Sequence, residues 1–491
     1  MIFESLKSTH NSLIMDQLQS LIVGVLPLMP GANIRQLLSI IQGIYSISSG
    51  GVTQLNISRY SAISYRGVTR FMSLGIEWSK VYVAQLCAYL QGVGLCGVYL
   101  LVIDETVEGK SGKNTSQIGY FFCSKAKQMI KSVSFAVLSV VSVSTRTSYV
   151  VDFIQLEQDK VKAAANKIKK AEKAEKATAK AKKDAKKDPK ADKSADKSVN
   201  KGGRPIGSTT KPKEKTDSVG FRALEFLLKR VLPLLVLAGI SPCYLVGDGA
   251  YGNLTSCLIA REQGLHLISK LHYNAALHHK PEKGSKKRKY GQRVDFDHLE
   301  GDAQHPDVHK IAEKADNEGV LSCFQIKDVR NVHIDVPFNL VIVRYLCLKT
   351  AKYSYCLLFS TDMALDGELL VDYYTLRFQI EFNFRDAKMY FGLSDFKSIK
   401  PVQVTNAVGL SFFMGNLSHQ LIEQIKEALN VEFMSIQDIK AYFRAVFYAQ
   451  RLKNTPHFSV PSFSDKSVIP LLAQLGAVNL GQSTKKKKKA A

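Results

Sequence analysis

VDYYTLRFQIEFNFRDAKMYF, residues 371–391, is the stretch that decides how this chain folds and what it could do. Four of its polar side chains follow a Tyr-x2-Arg-x3-Glu-x6-Lys spacing: Tyr374, Arg377, Glu381 and Lys388. If the stretch is one α-helix, offsets of 3, 7 and 14 residues place these side chains within about 60° of arc. Arg385 falls on the same side of that helix. Such a face, with a carboxylate among cations and a phenol, predicts a surface that holds a metal ion and grips phosphates.

Two aspartates stand at the ends of apolar runs upstream of this stretch. VYLLVID ends at Asp104, and PCYLVGDGAYG reaches Asp248 before a helix begins. Functional groups of α/β sheets lie at strand ends, where side chains leave the core. Each aspartate alone is also explained as a turn or cap residue. The order strand-Asp, strand-Asp, helix-Glu predicts more, because three converging carboxylates can hold two divalent ions about 3.5–4 Å apart.

Positive charge is concentrated in two segments of the 491-residue chain, whose formal net charge is +24. Residues 158–215 contain 20 Lys+Arg against 8 Asp+Glu, and Lys485 to Lys489 add five more cations. A strongly basic surface attracts a polyanion, nucleic acid first and acidic lipid second. The alternative for both segments is a solvating linker.

Cysteine usage and hydropathy bound the compartment. The eight cysteines are scattered singly, with no CxxC pair, which indicates buried thiols in a reducing compartment rather than disulfides or a zinc site. No apolar run reaches transmembrane length, and LIVGVLPLM at 21–29 is too short to span a bilayer. We expect a soluble, cytoplasmic protein without a membrane partner.

The chain divides by pattern into segments. The expected order is 1–92 helical and DNA-binding, 93–157 first part of an α/β core, 158–216 Lys-rich insert, 217–270 second part, 271–365 β-rich insertion, 366–460 third part with C-terminal helices, and 461–491 basic tail. Within the first segment, NISRYSAISYRGVTRFMSLG resembles a helix-turn-helix with Arg66 and Arg70 on its second helix. Plain packing of two short helices is the alternative. The first half of the Lys-rich insert could form a charged helix, and its second half should be disordered.

Three blocks together resemble a known family. VIDET around Asp104 is similar to the first-aspartate motif of DDE transposases, VGDGAYG around Asp248 to the second, and LRFQIEFNFRDAK to the third. The resemblance is to bacterial cut-and-paste insertion sequences with the Tyr-x2-Arg-x3-Glu-x6-Lys signature. It implies a ribonuclease H-like α/β fold, with a mixed sheet flanked by helices and a β-rich insertion before the Glu381 helix. Asp104, Asp248 and Glu381 would be the catalytic residues and the ligands of two Mg²⁺ ions, with Mn²⁺ able to substitute.

The resemblance also implies partners and chemistry. Tyr374, Arg377 and Lys388 would contact the DNA backbone at the transposon end, and Arg385 would join that surface. The reaction would be 3′-strand hydrolysis at each end, release of the element, and attack of its 3′-OH on double-stranded target DNA by a homodimeric synaptic complex. The site of action would be the bacterial nucleoid. The rivals are a ribonuclease H-like nuclease without strand transfer and a non-catalytic, transposase-derived DNA-binding protein.

Several features depart from the family pattern or stand outside it. Some relatives stack a flipped base on a tryptophan of the insertion, but the single tryptophan here is Trp78, so Tyr273, Tyr290 or Phe338 would have to supply the ring. KGGRPIGSTTKPK is either a minor-groove hook or a flexible linker. KGSKKRKYGQR could contact a DNA backbone. Six of the seven histidines in the insertion form a cluster whose spacing fits no standard zinc pattern and predicts no zinc site: His272, His278, His279, His298, His305 and His309.

Overall fold

The computed structural model describes residues 14–48, 50–93, 97–158, 215, 217–281, 289–429 and 431–453. The predictions for most of the Lys-rich insert, for the KGGRPIG segment and for the basic tail fall outside these residues. The helices are α1 14–23, α2 Ile34–Ser46, α3 Gln54–Arg59, α4 Tyr65–Phe71, α5 Trp78–Val93, α6 Val219–Leu237, α7 Leu254–Glu262, α8 Gly367–Leu376, α9 Gln379–Tyr390, α10 Pro401–Leu429 and α11 Ile436–Lys453. The strands are β1 Tyr99–Gly109, β2 Gly119–Cys123, β3 Gln128–Ser142, β4 Ser148–Leu156, β5 Tyr244–Gly247, β6 His266–Leu271, β7 Leu277–His278, β8 Val308–Ala315, β9 Gly319–Asn331, β10 Phe338–Cys347 and β11 Lys352–Ser360.

Strand β1 is the centre of the fold because it is apolar on both sides. Leu100 and Val102 enter one hydrophobic core, whereas Leu101 and Ile103 enter the other. Successive side chains of a strand point to opposite faces, so a strand buried on both faces reads as an unbroken apolar run. The run LLVI therefore produces a strand that helices cover on both sides.

The strands form one mixed sheet in the order β2-β3-β1-β5-β6-β11-β10-β9-β7, with β4 also paired to β3 and β8 to β9. β1 is antiparallel to β3 and parallel to β5, and β5 is parallel to β6. Strands β7 to β11 all come from the segment 271–365, and β11 joins them to the rest through its antiparallel pairing with β6. The prediction of an α/β protein with a mixed sheet flanked by helices is confirmed.

Helices cover the two faces of the sheet unequally. The N-terminal helices pack with α8 to α11 on one face, and α6 and α7 lie on the other, with α5 contributing to both. Trp78 belongs to this packing: its Nε1 donates to Asn406 Oδ1 at 3.0 Å. A Cβ on Gly409 would lie 2.3 Å from the Trp78 ring, so the tryptophan fits only against a glycine. Within the described ranges, no helix is both long enough and apolar enough to cross a membrane.

Candidate active site

The register of two parallel strands places the aspartates side by side. Ile103 of β1 is the partner of Gly247 of β5, and the next residues along the two strands are Asp104 and Asp248. The expectation that the first strand ends at Asp104 was wrong, because β1 continues to Gly109 through its pairing with β3. Only its pairing with β5 stops before Asp104. Asp104 is therefore the first residue of β1 that pairs with β3 on one side but no longer with β5 on the other.

The loop DGAYG holds Asp248 in place. Asp248 caps the short 3-10 helix Gly249–Tyr251, and its Oδ1 accepts the Ala250 N–H at 2.9 Å. Gly252 closes the loop against β6, since a Cβ there would lie 2.2 Å from the Lys270 carbonyl oxygen. Glycine is thus required for the close approach that brings the chain back past Asp248.

The signature stretch is two helices and not one. Between α8 and α9, the N–H groups of Arg377, Ile380 and Glu381 donate to carbonyls three residues back, at 3.0–3.2 Å. Bonds of this kind make a tighter turn, with about three residues per turn. The single-helix prediction was therefore wrong, and the polar side chains are split between two segments. Glu381 stands in the first turn of α9, where the helix dipole favours an acidic group.

Arg377 connects two of the carboxylates. Its Nη1 lies 2.9 Å from Asp104 Oδ2, and its Nη2 lies 3.0 Å from Glu381 Oε1. The Arg377 side chain is only 9% exposed. Tyr374 lies beside it, and burial raises the pKa of this phenol. The guanidinium is thus buried between the carboxylates from β1 and α9, and contact of Arg377 with DNA stays a prediction.

Acidic groups crowd this region. Burial raises the pKa of Asp104 to about 6, and Asp248 and Glu381 raise it further, while the Glu105 N–H and Arg377 oppose the shift. The pKa of the neighbouring Glu105 rises to about 7, through desolvation in the cleft wall and the charges of Asp104 and Asp248, although its side chain reaches solvent. Unbalanced negative charge of this kind favours a bound cation.

A cleft of about 900 Å³ is lined by all three carboxylates and by three of the predicted DNA-binding cations, Arg377, Arg385 and Lys388. Lys388 Nζ lies 2.6 Å from Oε1 of the buried Glu108, so this lysine is already paired with an acid that sequence reasoning missed. Arg385 is 57% exposed and contacts Asp386 at 3.1 Å. The cleft is large enough for a phosphate-bearing ligand, with the Arg385 guanidinium at its rim and the Lys388 ammonium in its wall.

The other predicted site residues lie apart from the cleft lining. Arg66 and Arg70 are exposed on α4, which begins after the cap residue Ser64. Tyr273 is 73% exposed, so its ring is free to stack. Phe338 is fully buried against Phe359, at 5.2 Å between ring centroids, and the suggestion that it stacks a base was wrong. Tyr290 packs beside His278, at 5.3 Å between ring centroids.

Sequence spacing also missed a cluster in the segment 271–365. His279, His305 and Asp307 offer ligand atoms that all lie within 4.8 Å of one another. Spacing gave no signal for this cluster because the histidines are brought together by the pairing of distant segments and not by a local motif. Their sequence signal was only the density of histidines in one segment.

Comparison with known proteins gives one informative match. A family model described as "Transposase DDE domain" matches residues 173–417. This match supports a DDE transposase. The matched part of the transposase domain includes Asp248 and Glu381, begins within the Lys-rich insert and starts after Asp104.

A second comparison concerns solved structures. The chain is similar to the cryo-EM structure of a piggyBac transposase synaptic complex with hairpin DNA, at 11% identity and a TM-score of 0.38. The similarity covers 98% of this chain and 87% of that chain. A TM-score of this size does not establish a common fold. Among curated proteins, no match was found.

Proposed function

We propose that this protein is a cut-and-paste DNA transposase of a bacterial insertion sequence, in the group with the Tyr-x2-Arg-x3-Glu-x6-Lys signature. The observation that carries the proposal is the β1–β5 register, which sets Asp104 beside Asp248 in one cleft with Glu381. A ribonuclease H-like core accords with the strand order β4-β3-β1-β5-β6, antiparallel up to β1 and parallel from β1 to β6. The matched transposase domain adds to this support.

The donor set of the cleft suits Mg²⁺, which prefers oxygen ligands. Asp104, Asp248 and Glu381 would hold the ions, and Mn²⁺ would substitute. When bound, they would lower the cost of charge developing on the attacked phosphate. Arg377 lies between Asp104 and Glu381, so in this arrangement it keeps the two carboxylates at a fixed separation.

These residues would serve two chemical steps of the reaction, one before and one after the element is released. Water attacks a phosphorus at the transposon end, the bond from phosphorus to the 3′ oxygen breaks, and that oxygen becomes a 3′-OH. In the second step, this hydroxyl attacks a target phosphodiester, and the 3′ oxygen of the target strand leaves as a hydroxyl. Tyr374, Arg385 and Lys388 would grip the backbone of the transposon end, and Arg377 would act on it through the carboxylates.

Recognition of DNA would also use a surface outside the cleft. The exposed Arg66 and Arg70 on α4 suit contact with double-stranded DNA. Two ends must be held together before either is joined to a target, so we propose a homodimer in the synaptic complex. Size measurement of the protein with and without end DNA would test this, and a monomer bound to paired ends would contradict it.

The experiment is a cleavage and joining assay on a plasmid that carries the DNA flanking the coding region. We expect Mg²⁺-dependent cuts that leave 3′-OH ends, followed by joined products with a target plasmid. Glu381→Gln should abolish both while leaving end binding nearly unchanged, and Glu318→Gln, a change at an exposed strand-end loop, should keep both. Cuts without joined products would favour a nuclease, and binding without cuts would favour a non-catalytic DNA-binding protein.

A further inference from the structure

Two histidines and an aspartate from distant parts of the segment 271–365 meet beside β7. His279 directly follows β7, and His305 and Asp307 lie in the loop before β8. Asp307 Oδ2 lies 3.9 Å from His279 Nδ1 and 3.8 Å from His305 Nδ1. The two imidazole rings are stacked, with centroids 3.6 Å apart and planes within 14°. The stack brings both Nδ1 atoms near the same carboxylate oxygen.

His279 is the unusual member of this group. The residue is only 2% exposed, and among the described residues its Nδ1 has no hydrogen-bond partner. A buried polar atom without a partner destabilises the folded state, and native proteins rarely retain one without a ligand or a role. The Nδ1 atom is directed toward Asp307 at a distance too long for a hydrogen bond. The described residues therefore supply no partner that could bind the Nδ1 lone pair.

We propose that His279, His305 and Asp307 bind one Zn²⁺ ion, through the two Nδ1 atoms and Oδ2. Imidazole and carboxylate donors suit Zn²⁺, whereas Mg²⁺ selects oxygen ligands. Bonds of about 2.0–2.1 Å in a tetrahedral site separate ligand atoms by roughly 3.3 Å, so the two distances to Oδ2 must shorten by about half an ångström. One ion cannot lie in the planes of two stacked rings, so the half-buried His305 ring must turn out of the stack to direct its Nδ1 at the ion. His305 Nδ1 would exchange its 3.2 Å contact from the Asp307 N–H for a bond to the ion. A water would complete the site.

The surrounding contacts already orient the donors. Lys280 Nζ lies 3.7 Å from Asp307 Oδ1, which directs the other carboxylate oxygen toward the histidines. The His279 N–H donates to the Gln292 carbonyl at 2.8 Å, and the Gly291 N–H donates to the His279 carbonyl at 3.0 Å. Partners that hold a ligand in place are typical of protein metal sites. An ion here would link the segments around His279 and Gln292, which these bonds join, to the loop before β8.

This site is distinct from the carboxylate cleft. Five strand spacings separate β5 from β7 along the sheet order, which corresponds to about 24 Å. The donors also differ, since the three carboxylates of the cleft offer only oxygen atoms. A zinc ion at His279 would stabilise the segment 271–365. This role does not depend on whether the chain transposes DNA.

The test uses the full chain without a histidine tag, freed of metal with a chelator and then titrated with Co²⁺. We expect one Co²⁺ per chain with the visible absorption of a tetrahedral site, displaced by equimolar Zn²⁺ and unaffected by excess Mg²⁺. Asp307→Asn and His305→Gln should lose the absorption and the Zn²⁺-dependent rise in Tm. Two variants are used because either one could fail to fold.

Matched controls separate this site from others. His298→Ala removes a histidine of the same segment that is paired with Asp295 at the surface, and it should keep the absorption. Glu381→Gln should keep it as well, because the ion does not lie in the cleft. Absence of tetrahedral Co²⁺ in the parent protein, its retention in both Asp307→Asn and His305→Gln, or its loss in Glu381→Gln would each overturn the proposal.

Discussion

Replacing Arg377 with methionine should destabilise the protein strongly, and the contacts of this arginine give the size of the effect. The change removes charge-assisted hydrogen bonds of 2.9 and 3.0 Å to Asp104 and Glu381. Removing one partner of a buried ion pair costs about 3–5 kcal/mol. The Glu381 side chain is 48% exposed, so water compensates much of its share. We expect the free energy of unfolding to fall by about 2–4 kcal/mol.

Urea denaturation followed by circular dichroism, in chelator and at moderate salt, measures this loss. Arg222→Met is the matched control, because it removes an arginine whose ion pair with Asp217 is exposed on both sides. That variant should lose no more than about 0.5 kcal/mol. Mg²⁺ should restore part of the stability of Arg377→Met, since a cation in the cleft would replace the lost positive charge.

A double-mutant cycle isolates the contact of Arg377 with Asp104. Asp104→Asn removes the carboxylate charge at nearly constant shape, and the two changes together should cost less than their sum. We expect a coupling energy of about 1.5–3 kcal/mol. A coupling indistinguishable from zero, or an Arg377→Met loss as small as that of Arg222→Met, would refute the idea that the guanidinium holds the carboxylates together.

Two further changes test the packing and the pH response. Gly409→Ala places a Cβ 2.3 Å from the Trp78 ring and should lower the free energy of unfolding by about 1–3 kcal/mol. A Cβ on Gly415, in the same helix, has no described atom within 4 Å, so Gly415→Ala should be neutral or stabilising. The urea midpoints of the two variants decide between these outcomes. Burial lowers the pKa of Lys440 to about 8, so the unfolded chain binds more protons between pH 8 and 10.5, and stability should rise with pH across that window. Lys440→Met should flatten this rise and be more stable at neutral pH, and a parallel slope in the variant would contradict the assignment.

The sequence predicted the parts of the site that depend on local pattern. The apolar runs before Asp104 and Asp248 predicted two buried strands, and their pairing in parallel register is what sets the aspartates together. The sequence could not predict that β1 would continue past Asp104, because this depends on pairing with β3. Periodicity alone cannot distinguish one helix from two when the break is a few tightened turns, as it is at Arg377.

Long-range contacts account for the rest of what was missed. His279 and His305 meet only after β7 and β8 have both paired with β9, so their spacing along the chain carries no metal-site signal. Glu108 was passed over because an acid at the far end of an apolar strand looks solvated, whereas it is buried and bound to Lys388. Both cases concern polar groups whose partners come from another part of the chain.

Apart from the two residue pairs that hold the edge strand β7, the sheet has its fewest paired residues beside the cleft, and this has a mechanical consequence. Three residue pairs join β5 to β6 and four join β6 to β11, whereas β10 and β11 share nine. A ribbon under load deforms where its cross-links are fewest, so force applied to β8–β11 would concentrate as shear at β6. That strand also contacts the loop after Asp248, through the close approach of Gly252 to Lys270. A force that displaces β8–β11 would therefore shift β6 and, through it, the loop that holds Asp248. Strand β6 would transmit movement of β8–β11 to the second aspartate.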